Sequence, residues 1–548
     1  MLRPAFKAPL LALGLGAMPL AIGCDDAGTA DPSDEAPTLK GTAGSADASA
    51  QAVVIDLAFK GELVSSHCFN TRQAIQDQLL YTIGQLNGHN SVGRLDRLEL
   101  SNITSRTDGG LCKIGYDARL PVAWGKKNDV PRELELVLPK DNTYEGLERF
   151  VKSYSSSCVD WGAHDVTAGS MWYYYRPLMS GCRLADADVV RTKAAVSVSP
   201  VNTTGKYPEY DKVWEDGALR VVAVFGKYED GATTNDAGID AYNRFVATIA
   251  ADLRPYSPTT VPATVPANPG VAVPDIVFNA TLPDGKTVEI VSLMVDNVRT
   301  AGAAFDARYE ALSSRADLIV YNGHAGLGAN VRALAAKGHW VAGQYVIVFM
   351  NGCDTYTYID TALFDAHAEV NSDDPAGTKY VDIVTNAMPS FFHSMAGATT
   401  AMVRGLLDYD EPRTYERIFA DIDAREVVIV TGEHDNTFVP GDAGGGDADV
   451  AWAGMSDGGK LATGDEKRHA TAKLGAGRYR FALSGTGDAD LYVRVGDAPS
   501  QDLWDCRPYL GTSNETCEVE LASATTIHVL VDAYRGPIDF KLAGTKVR

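Results

Sequence analysis

The chain has 548 residues, of which 45% are hydrophobic and 22% are charged, and its formal net charge at pH 7 is −22. A chain of this length is too long for one hydrophobic core, so two or three domains are expected. The acidic balance argues against a nucleic-acid partner, because nucleic-acid-binding proteins need clustered lysine and arginine.

The first 50 residues predict export and membrane attachment. Arg3 and Lys7 precede an apolar stretch that is too short to span a bilayer, so residues 1–23 are predicted to be a secretory signal peptide. The run Ala21-Ile-Gly-Cys24 resembles the bacterial lipobox, which implies a lipid on Cys24 and a place in the bacterial cell envelope, periplasmic or on the surface. An ordinary signal peptide that ends near a cysteine is the alternative. Residues 24–50 contain few apolar side chains and predict a lipidated, disordered tether.

Residues 51–212 are predicted to form an α+β N-terminal domain. Apolar runs at residues 53–59 and 97–100 predict strands, and residues 75–83 predict a helix. The aromatic run at residues 171–176 is interpreted as packing in a core or between domains.

Residues 217–440 are predicted to form an α/β domain. Apolar runs without alternation predict buried strands at residues 219–225, 288–295, 317–321, 345–350, 380–385 and 427–431. Helical stretches alternate with them at residues 236–249, 304–314, 330–337, 359–369, 391–407 and 415–422. This alternation predicts a doubly wound, mostly parallel sheet. Residues 255–274 are rich in proline and predict an extended surface excursion.

Two of the predicted strands end in residues that can carry chemistry. His324 follows one apolar run, and Cys353 follows the next. A helical crossover between two consecutive strands makes them parallel, so their carboxyl ends, and both side chains, are expected at one edge of the sheet. A thiol within reach of an imidazole is a common pair of catalytic groups for nucleophilic acyl transfer.

The eight cysteines divide between structural and reactive roles. Export implies an oxidising environment in which cysteines pair, although the sequence does not fix the connectivity. The natural local pairs are Cys68–Cys112, Cys158–Cys182 and Cys506–Cys517. Cys353 is then the cysteine left over in the folded part, and it is interpreted as a reactive thiol, with an inert buried cysteine as the alternative.

The C-terminal part predicts a separate domain. Residues 441–465 are rich in Gly, Asp and Ala and predict a linker. Within residues 466–548, short alternating runs at 479–483, 491–495, 525–531 and 538–542 predict a small β-sandwich.

The order of elements over residues 217–440 resembles the caspase-like cysteine peptidases, the group of caspases, gingipains, clostripain and legumain. The motif carrying the resemblance is Asn351-Gly-Cys353 together with Asn322-Gly-His324-Ala-Gly326, in which Ala325 stands where glycine is usual. The resemblance implies that Cys353 is the nucleophile and His324 the acid and base, and that the backbone N–H groups of Cys353 and Ala325 bind the oxyanion. Candidate residues of the substrate pocket are Asn351, Asp354, Asn386 and Glu433.

The run from Ser484 to Arg494, with residues 505–509 and 514–517, resembles the bacterial pre-peptidase C-terminal domain over about residues 470–543. Such domains accompany secreted bacterial peptidases. Asp488, Asp490 and Asp505 could bind calcium, but solvated turn carboxylates are the preferred interpretation. The remaining histidines lack metal-ligand spacing, so no metal site or other cofactor is expected.

The sequence therefore predicts an exported, membrane-anchored cysteine endopeptidase that hydrolyses a protein or peptide substrate. The alternative is a catalytically silent surface lipoprotein that keeps this fold and binds a protein or polysaccharide ligand. A third hypothesis gives the N-terminal domain a structural, adhesive or inhibitory role.

Overall fold

The structure is a computed structural model that describes residues 47–163, 166–432, 436, 438–440, 452, 454–471, 474–475, 477–501, 503–521 and 525–547. The predicted signal peptide and Cys24 lie outside these residues. The described part is multidomain and rich in β-structure, with sheets of nine, six and five strands.

The N-terminal region forms an antiparallel sheet flanked by short helices. Its elements are β1 (Ala48–Ser49), β2 (Val53–Ser65), α1 (Thr71–Leu79), α2 (Tyr81–Asn87), β3 (Ser91–Gly93), β4 (Glu99–Asp108), β5 (Leu111–Trp124), β6 (Glu133–Pro139), α3 (Tyr144–Tyr154), α4 (Met171–Tyr174) and β7 (Val189–Val198). Strands β2 to β7 pair in the order β3-β5-β2-β7-β6, with β4 also on β5. The single helix expected near residues 75–83 is divided between α1 and α2.

The nine-stranded sheet carries the candidate site. Its chain segment contains α5 (Tyr210–Val213), β8 (Ala218–Gly226), α6 (Ala237–Leu253), β9 (Thr259–Val261), β10 (Asp275–Thr281), β11 (Thr287–Val295), α7 (Ala303–Ser313), β12 (Leu318–Asn322), α8 (Ala329–Lys337), β13 (Val346–Asn351), α9 (Ala362–Val370), β14 (Val381–Asn386), α10 (Phe392–Leu407), α11 (Tyr415–Phe419) and β15 (Val428–Gly432). The strand order is β1-β15-β14-β13-β12-β8-β11-β10-β9. Strands β14, β13, β12, β8 and β11 are mutually parallel, because helical crossovers join them.

The two strands that flank the central five, β15 and β10, run antiparallel to them. Strand β15 pairs antiparallel with β14, and β10 pairs antiparallel with β11. Strand β9, inside the proline-rich stretch at residues 255–274, is an edge strand, where proline is tolerated.

Residues 47–50 differ from the disordered tether predicted over residues 24–50. Strand β1 pairs with β15, and the Ser49 hydroxyl donates a 2.6 Å hydrogen bond to the Val428 carbonyl oxygen. The composition of residues 47–50 does not predict this strand, because the strand is stabilised by backbone pairing and has no apolar pattern.

Two apolar clusters cover the faces of the large sheet. On one face, helices α6, α10 and α11 pack over the strands, and Tyr210 and Trp214 join this cluster although Tyr210 lies within the predicted N-terminal domain. On the other face, the buried residues of β12 and β13 belong to one continuous cluster with those of the N-terminal sheet. The N-terminal domain therefore shares a hydrophobic core with the large sheet.

The C-terminal domain has a separate apolar core of its own. Its strands are β16 (Met455–Leu461), β17 (Glu466–Ala470), β18 (Gly477–Val495), β19 (Glu515–Leu521) and β20 (Ile527–Val547). Four predicted short strands merge into the long strands β18 and β20, whose pairing shifts register between residues 486 and 490. Strand β16 lies within the residues that were predicted to be a linker. Its Gly-rich sequence has no strand pattern, although it pairs with β20 at the edge of the sheet.

The three expected disulfides, Cys68–Cys112, Cys158–Cys182 and Cys506–Cys517, are present. Within the described ranges, no helix has the length and apolar character needed to cross a membrane.

Candidate functional site

The two loops that carry His324 and Cys353 lie side by side at the carboxyl edge of the large sheet. Asn322 and Asn351 are register partners at the ends of β12 and β13. Beyond this pair, the backbone N–H of Gly323 donates to the carbonyl oxygen of Asn351 at 3.2 Å. His324 and Cys353 each lie two residues past the register pair, so the strands bring both residues to the same edge of the sheet.

Buried amides hold these loops from below. The Asn351 side chain donates a 2.8 Å hydrogen bond to Asn322 Oδ1, which also accepts one from the Thr399 hydroxyl at 2.9 Å. Asn351 Oδ1 accepts a 2.8 Å hydrogen bond from Ser390. Both asparagines are fully buried. Asn322 Nδ2 has no hydrogen-bond partner among the described residues, so the network rests on the two amide oxygens and on Asn351 Nδ2. Hydrogen bonds between buried amides favour one geometry, because the loss of a partner leaves a polar atom without water.

The His324 imidazole is oriented through Nε2. That nitrogen lies 2.9 Å from the Tyr228 carbonyl oxygen. A carbonyl can only accept, so Nε2 carries a proton toward Tyr228, and in the neutral imidazole the lone pair is then on Nδ1. Nδ1 is buried and has no hydrogen-bond partner among the described residues. The rings of Tyr228 and Phe392 flank the imidazole at centroid distances of 5.4 Å and 5.2 Å. The imidazole is thereby set up as a base at Nδ1.

Cys353 is nearly buried and its sulfur lies 3.5 Å from the Ser390 carbonyl oxygen. The structure places this sulfur in a disulfide. The six other cysteines in the described ranges pair with one another, so none of them is bonded to Cys353. The predicted reactive thiol therefore requires reduction of this bond, since only a thiolate is nucleophilic.

Gly352 is required by the close approach of the two loops. A Cβ at this position would lie 2.7 Å from the Gly323 carbonyl oxygen and 3.4 Å from the Ala325 backbone nitrogen. A side chain at 352 would thus press against the backbone of the histidine loop. The backbone nitrogen of Ala325 lies beside the residue that precedes Cys353.

The residues predicted to line a substrate pocket are buried instead. Asn351 serves the amide network, and Asp354 accepts a 2.8 Å hydrogen bond from Asn87 of the N-terminal domain. Asn386 lies 3.4 Å from the carboxylate of Glu426. These three side chains have no solvent exposure, so they support the loops from within. Glu433 lies outside the described residues.

Burial changes the acidity of Asp354. Its pKa is raised to about 6, because desolvation outweighs the hydrogen bonds from Asn87 and Tyr173 that favour the charged form. A buried carboxylate already bonded to protein groups is unsuited to binding a basic substrate side chain. This placement differs from the expectation that Asp354 is a residue of the substrate pocket.

A second buried carboxylate lies behind the loop that touches Cys353. Glu426 is fully buried and accepts hydrogen bonds from the Ser394 hydroxyl and, at 3.3 Å, from the Phe391 backbone N–H. Burial raises the pKa of Glu426 to about 7, although hydrogen bonds from Ser394, Phe391 and Ser390 oppose the rise. No periodic signal marks this residue in the sequence.

An open cavity of about 340 Å³ lies at the same edge of the sheet. Its lining includes Lys227, Asp296, Asn297 and Phe305, at the carboxyl ends of β8 and β11. Lys227 and Asp296 form a 2.5 Å ion pair, and the Lys227 side chain lowers the pKa of that carboxyl. Lys227 immediately precedes Tyr228, and its strand β8 is the neighbour of β12, which leads to His324. The lining of the cavity does not include Tyr228, His324 or Cys353, and its two charges are paired with each other.

Two of the three carboxylates considered for calcium are engaged with protein groups, and the third, Asp488, has a buried Oδ1 with no hydrogen-bond partner among the described residues. Asp490 forms a 2.7 Å ion pair with Arg507, and Asp505 accepts a 2.7 Å hydrogen bond from the backbone of Val495. In the part of the chain that the structure describes, no group of three or more His, Cys, Asp or Glu side chains is arranged to hold a metal ion.

Comparison with known proteins addresses the C-terminal domain. Residues 472–533 match the model of the bacterial pre-peptidase C-terminal domain. This match confirms the resemblance expected from the sequence. It covers a small part of the chain, and it leaves the large sheet unassigned.

Curated relatives of this domain are proteases of different catalytic types. The chain is 48% identical over 50 residues to the "Virulence metalloprotease" of Vibrio anguillarum and to the "Zinc metalloprotease" of Helicobacter pylori. It is 46% identical over 50 residues to the "Alkaline serine exoprotease A" of Vibrio alginolyticus. Each match covers 9% of this chain and, respectively, 8%, 20% and 9% of the relative. The shared domain therefore does not identify a catalytic mechanism.

A solved structure described as "Solution structure of vEP C-ter 100" is 34% identical over 15% of this chain and 83% of its own, with a TM-score of 0.14.

Several residues of the site were not foreseen. Tyr228 follows β8, whose carboxyl end was predicted to share this edge, so its loop could have been singled out from the sequence. Phe392, Ser390 and Asn87 carry no such signal, because their roles depend on packing between distant segments.

Proposed function

We propose that this chain is an exported peptidase that uses Cys353 as nucleophile, once an external thiol has reduced its disulfide by thiol–disulfide exchange, and His324 as general acid and base. The carrying observation is the register of Asn322 with Asn351, which sets the two residues at equivalent positions on adjacent parallel strands. The protease relatives of the C-terminal domain support the broader assignment to proteolysis.

The proposed mechanism assigns each group a separate step. His324 Nδ1, left unprotonated by the bond from Nε2 to Tyr228, accepts the proton of the Cys353 thiol. The thiolate attacks the scissile carbonyl, and the backbone N–H groups of Cys353 and Ala325 stabilise the oxyanion. His324 then donates the proton to the leaving amine and activates the water that hydrolyses the acyl-enzyme. The cavity lined by Lys227 is the proposed substrate subsite.

The caspase-like assignment of the large sheet belongs to the same proposal. The central strands in chain order are β8, β11, β12, β13 and β14, and they lie in the sheet as β11-β8-β12-β13-β14, followed by antiparallel β15. The candidate histidine and cysteine end its third and fourth strands. This arrangement supports the sequence resemblance.

The test combines reduction with two variants and a matched control. Purified full-length protein is incubated with a library of fluorogenic peptides before and after mild reduction. We expect hydrolysis only after reduction, and a loss of at least about 100-fold in Cys353→Ala and His324→Ala. His339→Ala is the control, because the His339 side chain is 58% exposed. Activity that survives both variants but is lost with a metal chelator or a serine-directed reagent would overturn the cysteine mechanism.

The disulfide at Cys353 favours a second candidate function. A chain whose Cys353 stays oxidised would be a catalytically silent surface protein that keeps the fold and binds a protein or polysaccharide ligand. The discriminating result is the redox state of Cys353 in protein isolated without reductant from its native envelope. A reduced Cys353 there supports the peptidase, and a quantitatively oxidised one that resists mild reductants supports the silent protein.

We also propose that a lipid on Cys24 anchors the chain to the membrane. The support is the lipobox-like sequence before that residue. The wild-type protein should partition into the detergent phase. Cys24→Ser should lose this partitioning, and Ala21→Leu should retain it. Cys24 is the one cysteine of the sequence outside the described ranges, so a lipid on its sulfur and a disulfide from Cys353 within the same chain exclude each other. Mass mapping of the peptide linked to Cys353 decides between them, because a partner identified as Cys24 contradicts the anchor.

A further inference from the structure

The segment that follows Cys353 is held by the N-terminal domain. This segment, residues 354–358, begins with Asp354 and continues as a single 3₁₀ turn, Thr355–Tyr358. Three of its side chains form buried hydrogen bonds with residues before position 95. Asn87 donates to Asp354 at 2.8 Å, the Tyr356 hydroxyl donates to Asp47 at 3.1 Å, and the Thr357 hydroxyl donates to the Gly93 carbonyl oxygen at 2.6 Å.

A buried cation strengthens this contact. Arg94 is almost fully buried and its guanidinium lies 5.2 Å from the centre of the Tyr356 ring. The same guanidinium pairs with Asp96 at 2.5 Å. A cation over an aromatic face is worth more when both groups are desolvated, as they are here. The turn after Cys353 is therefore packed into the N-terminal domain over most of its length.

Asp354 has a backbone conformation that needs outside support. Its φ is 50°, in the left-handed region that residues other than glycine seldom adopt. The backbone N–H of Asp354 donates to the Met388 carbonyl oxygen at 3.3 Å, and its carboxylate is held by Asn87. Such a conformation persists where the surroundings determine it. Because Cys353 is the preceding residue, a change at Asp354 moves the sulfur.

Asn87 is well placed to give this support. It is the last residue of α2 and is buried, and the same side-chain nitrogen also lies 3.3 Å from the Ser91 carbonyl oxygen. We propose that Asn87 is a positioning residue that acts through Asp354 to fix Cys353 in the candidate site. The N-terminal domain is then a working part of the site. The catalytic consequence rests on the proposed function, whereas the positioning of Cys353 does not.

The test exchanges donor and acceptor between the two residues. Four full-length proteins are compared at pH 8 after mild reduction: wild type, Asn87→Asp, Asp354→Asn, and the double variant. The readout is the alkylation rate of Cys353 in folded protein, mapped by mass spectrometry. Asn87→Asp opposes two carboxylates and should lower the rate about tenfold. Asp354→Asn keeps an acceptor for Asn87 and should stay within about threefold of wild type. The double variant restores a donor facing an acceptor and should recover the rate.

Gln85→Glu is the matched control. Gln85 is a buried amide on the same helix, but it bonds only to Glu135 and Val137 within the N-terminal domain. The control should leave Cys353 reactivity unchanged even if it lowers stability. A double variant no better than Asn87→Asp, or an Asn87→Asp rate equal to wild type, would overturn the proposal.

A second variant keeps the proposal testable if Asn87→Asp does not fold. Asn87→Ala removes the hydrogen bond to Asp354 without opposing two carboxylates, and it should lower Cys353 reactivity about tenfold. A rate in folded Asn87→Ala equal to that of wild type would contradict the inference. Peptide hydrolysis is measured in parallel. If no protein hydrolyses peptides but the alkylation rates follow the expected pattern, the peptidase proposal fails and the positioning of Cys353 by Asn87 is supported. If peptides are hydrolysed but Cys353 is alkylated at the same rate in all proteins, the peptidase proposal is supported and the positioning fails.

Discussion

The side chains of Asn322 and Asn351 are joined by a 2.8 Å hydrogen bond at the ends of two adjacent parallel strands. Each asparagine is followed by a glycine and then by a candidate catalytic residue. The bond therefore ties together the two points from which the site loops depart. It explains why fully buried amides are retained where apolar residues would be easier to bury.

The first prediction concerns this amide pair. Asn351→Ala removes the bonds to Asn322 and Ser390 and leaves buried polar atoms without partners. We expect the free energy of unfolding to fall by about 3 kcal/mol, measured by denaturant titration. Gln73→Ala is the comparison, because the Gln73 side chain bonds only the exposed Asp77 and should change stability by less than about 0.5 kcal/mol. Equal effects of the two substitutions would show that the amide pair does not hold the loops.

The second prediction concerns His367, which is buried beside Trp340 with no hydrogen-bond partner for either ring nitrogen in the described structure. Burial lowers the pKa of His367 from 6.5 to about 4. The unfolded chain therefore binds a proton between pH 6.5 and pH 4 that the folded chain does not. The stability contribution is complete above pH 6.5 and falls by about 3 kcal/mol as the pH drops to 4.

Unfolding titrations of His367→Leu across this range check that slope. The wild type should lose more stability on acidification than the variant does. His339→Gln, a change at an exposed histidine, should keep the slope of the wild type. Parallel curves for wild type and His367→Leu would mean that His367 is protonated or solvated in the folded protein.

The third prediction has the opposite sign and concerns Glu426. Burial raises the pKa of this carboxyl from 4.5 to about 7. The folded protein therefore binds a proton between these values that the unfolded chain releases. The contribution is complete below pH 4.5 and is lost as the pH rises to 7, by about 3 kcal/mol.

Glu426→Gln should remove this loss. The free energy of unfolding of the variant minus that of the wild type should therefore increase from pH 4.5 to pH 7. Denaturant titrations at four or five pH values in that range measure the difference. Glu411→Gln, at an exposed position, should show a difference that does not change with pH. A constant difference for Glu426→Gln as well would show that the carboxyl is ionised when folded.

The central sheet could be predicted from the sequence because its strands are uninterrupted apolar runs separated by helical stretches. The direction of β15 could not be predicted, since a buried strand has the same composition whether it is parallel or antiparallel. Merging of the predicted short strands into β18 and β20 was equally hidden, because the register shift that joins the halves depends on pairing between them.

The candidate site divides in the same way. His324 and Cys353 could be placed at one edge because strand ends are local features. Asp354 was predicted to face substrate, but its partner Asn87 lies 267 positions away in the chain, and nothing local records that contact.

The last prediction compares truncations at the two ends. The N-terminal domain shares one apolar cluster with the large sheet, so deleting residues 51–210 uncovers a broad apolar face and removes the contacts to residues 354–358. The C-terminal domain has its own core, so ending the chain at residue 440 leaves both clusters of the large sheet intact. We expect the first truncation to aggregate or to bind a hydrophobic dye, and the second to unfold cooperatively near the midpoint of the full chain. Calorimetry and light scattering on both proteins test this. If the protein lacking residues 51–210 is soluble and folds cooperatively, the shared cluster is dispensable. The N-terminal domain would then be interpreted as a removable or inhibitory segment.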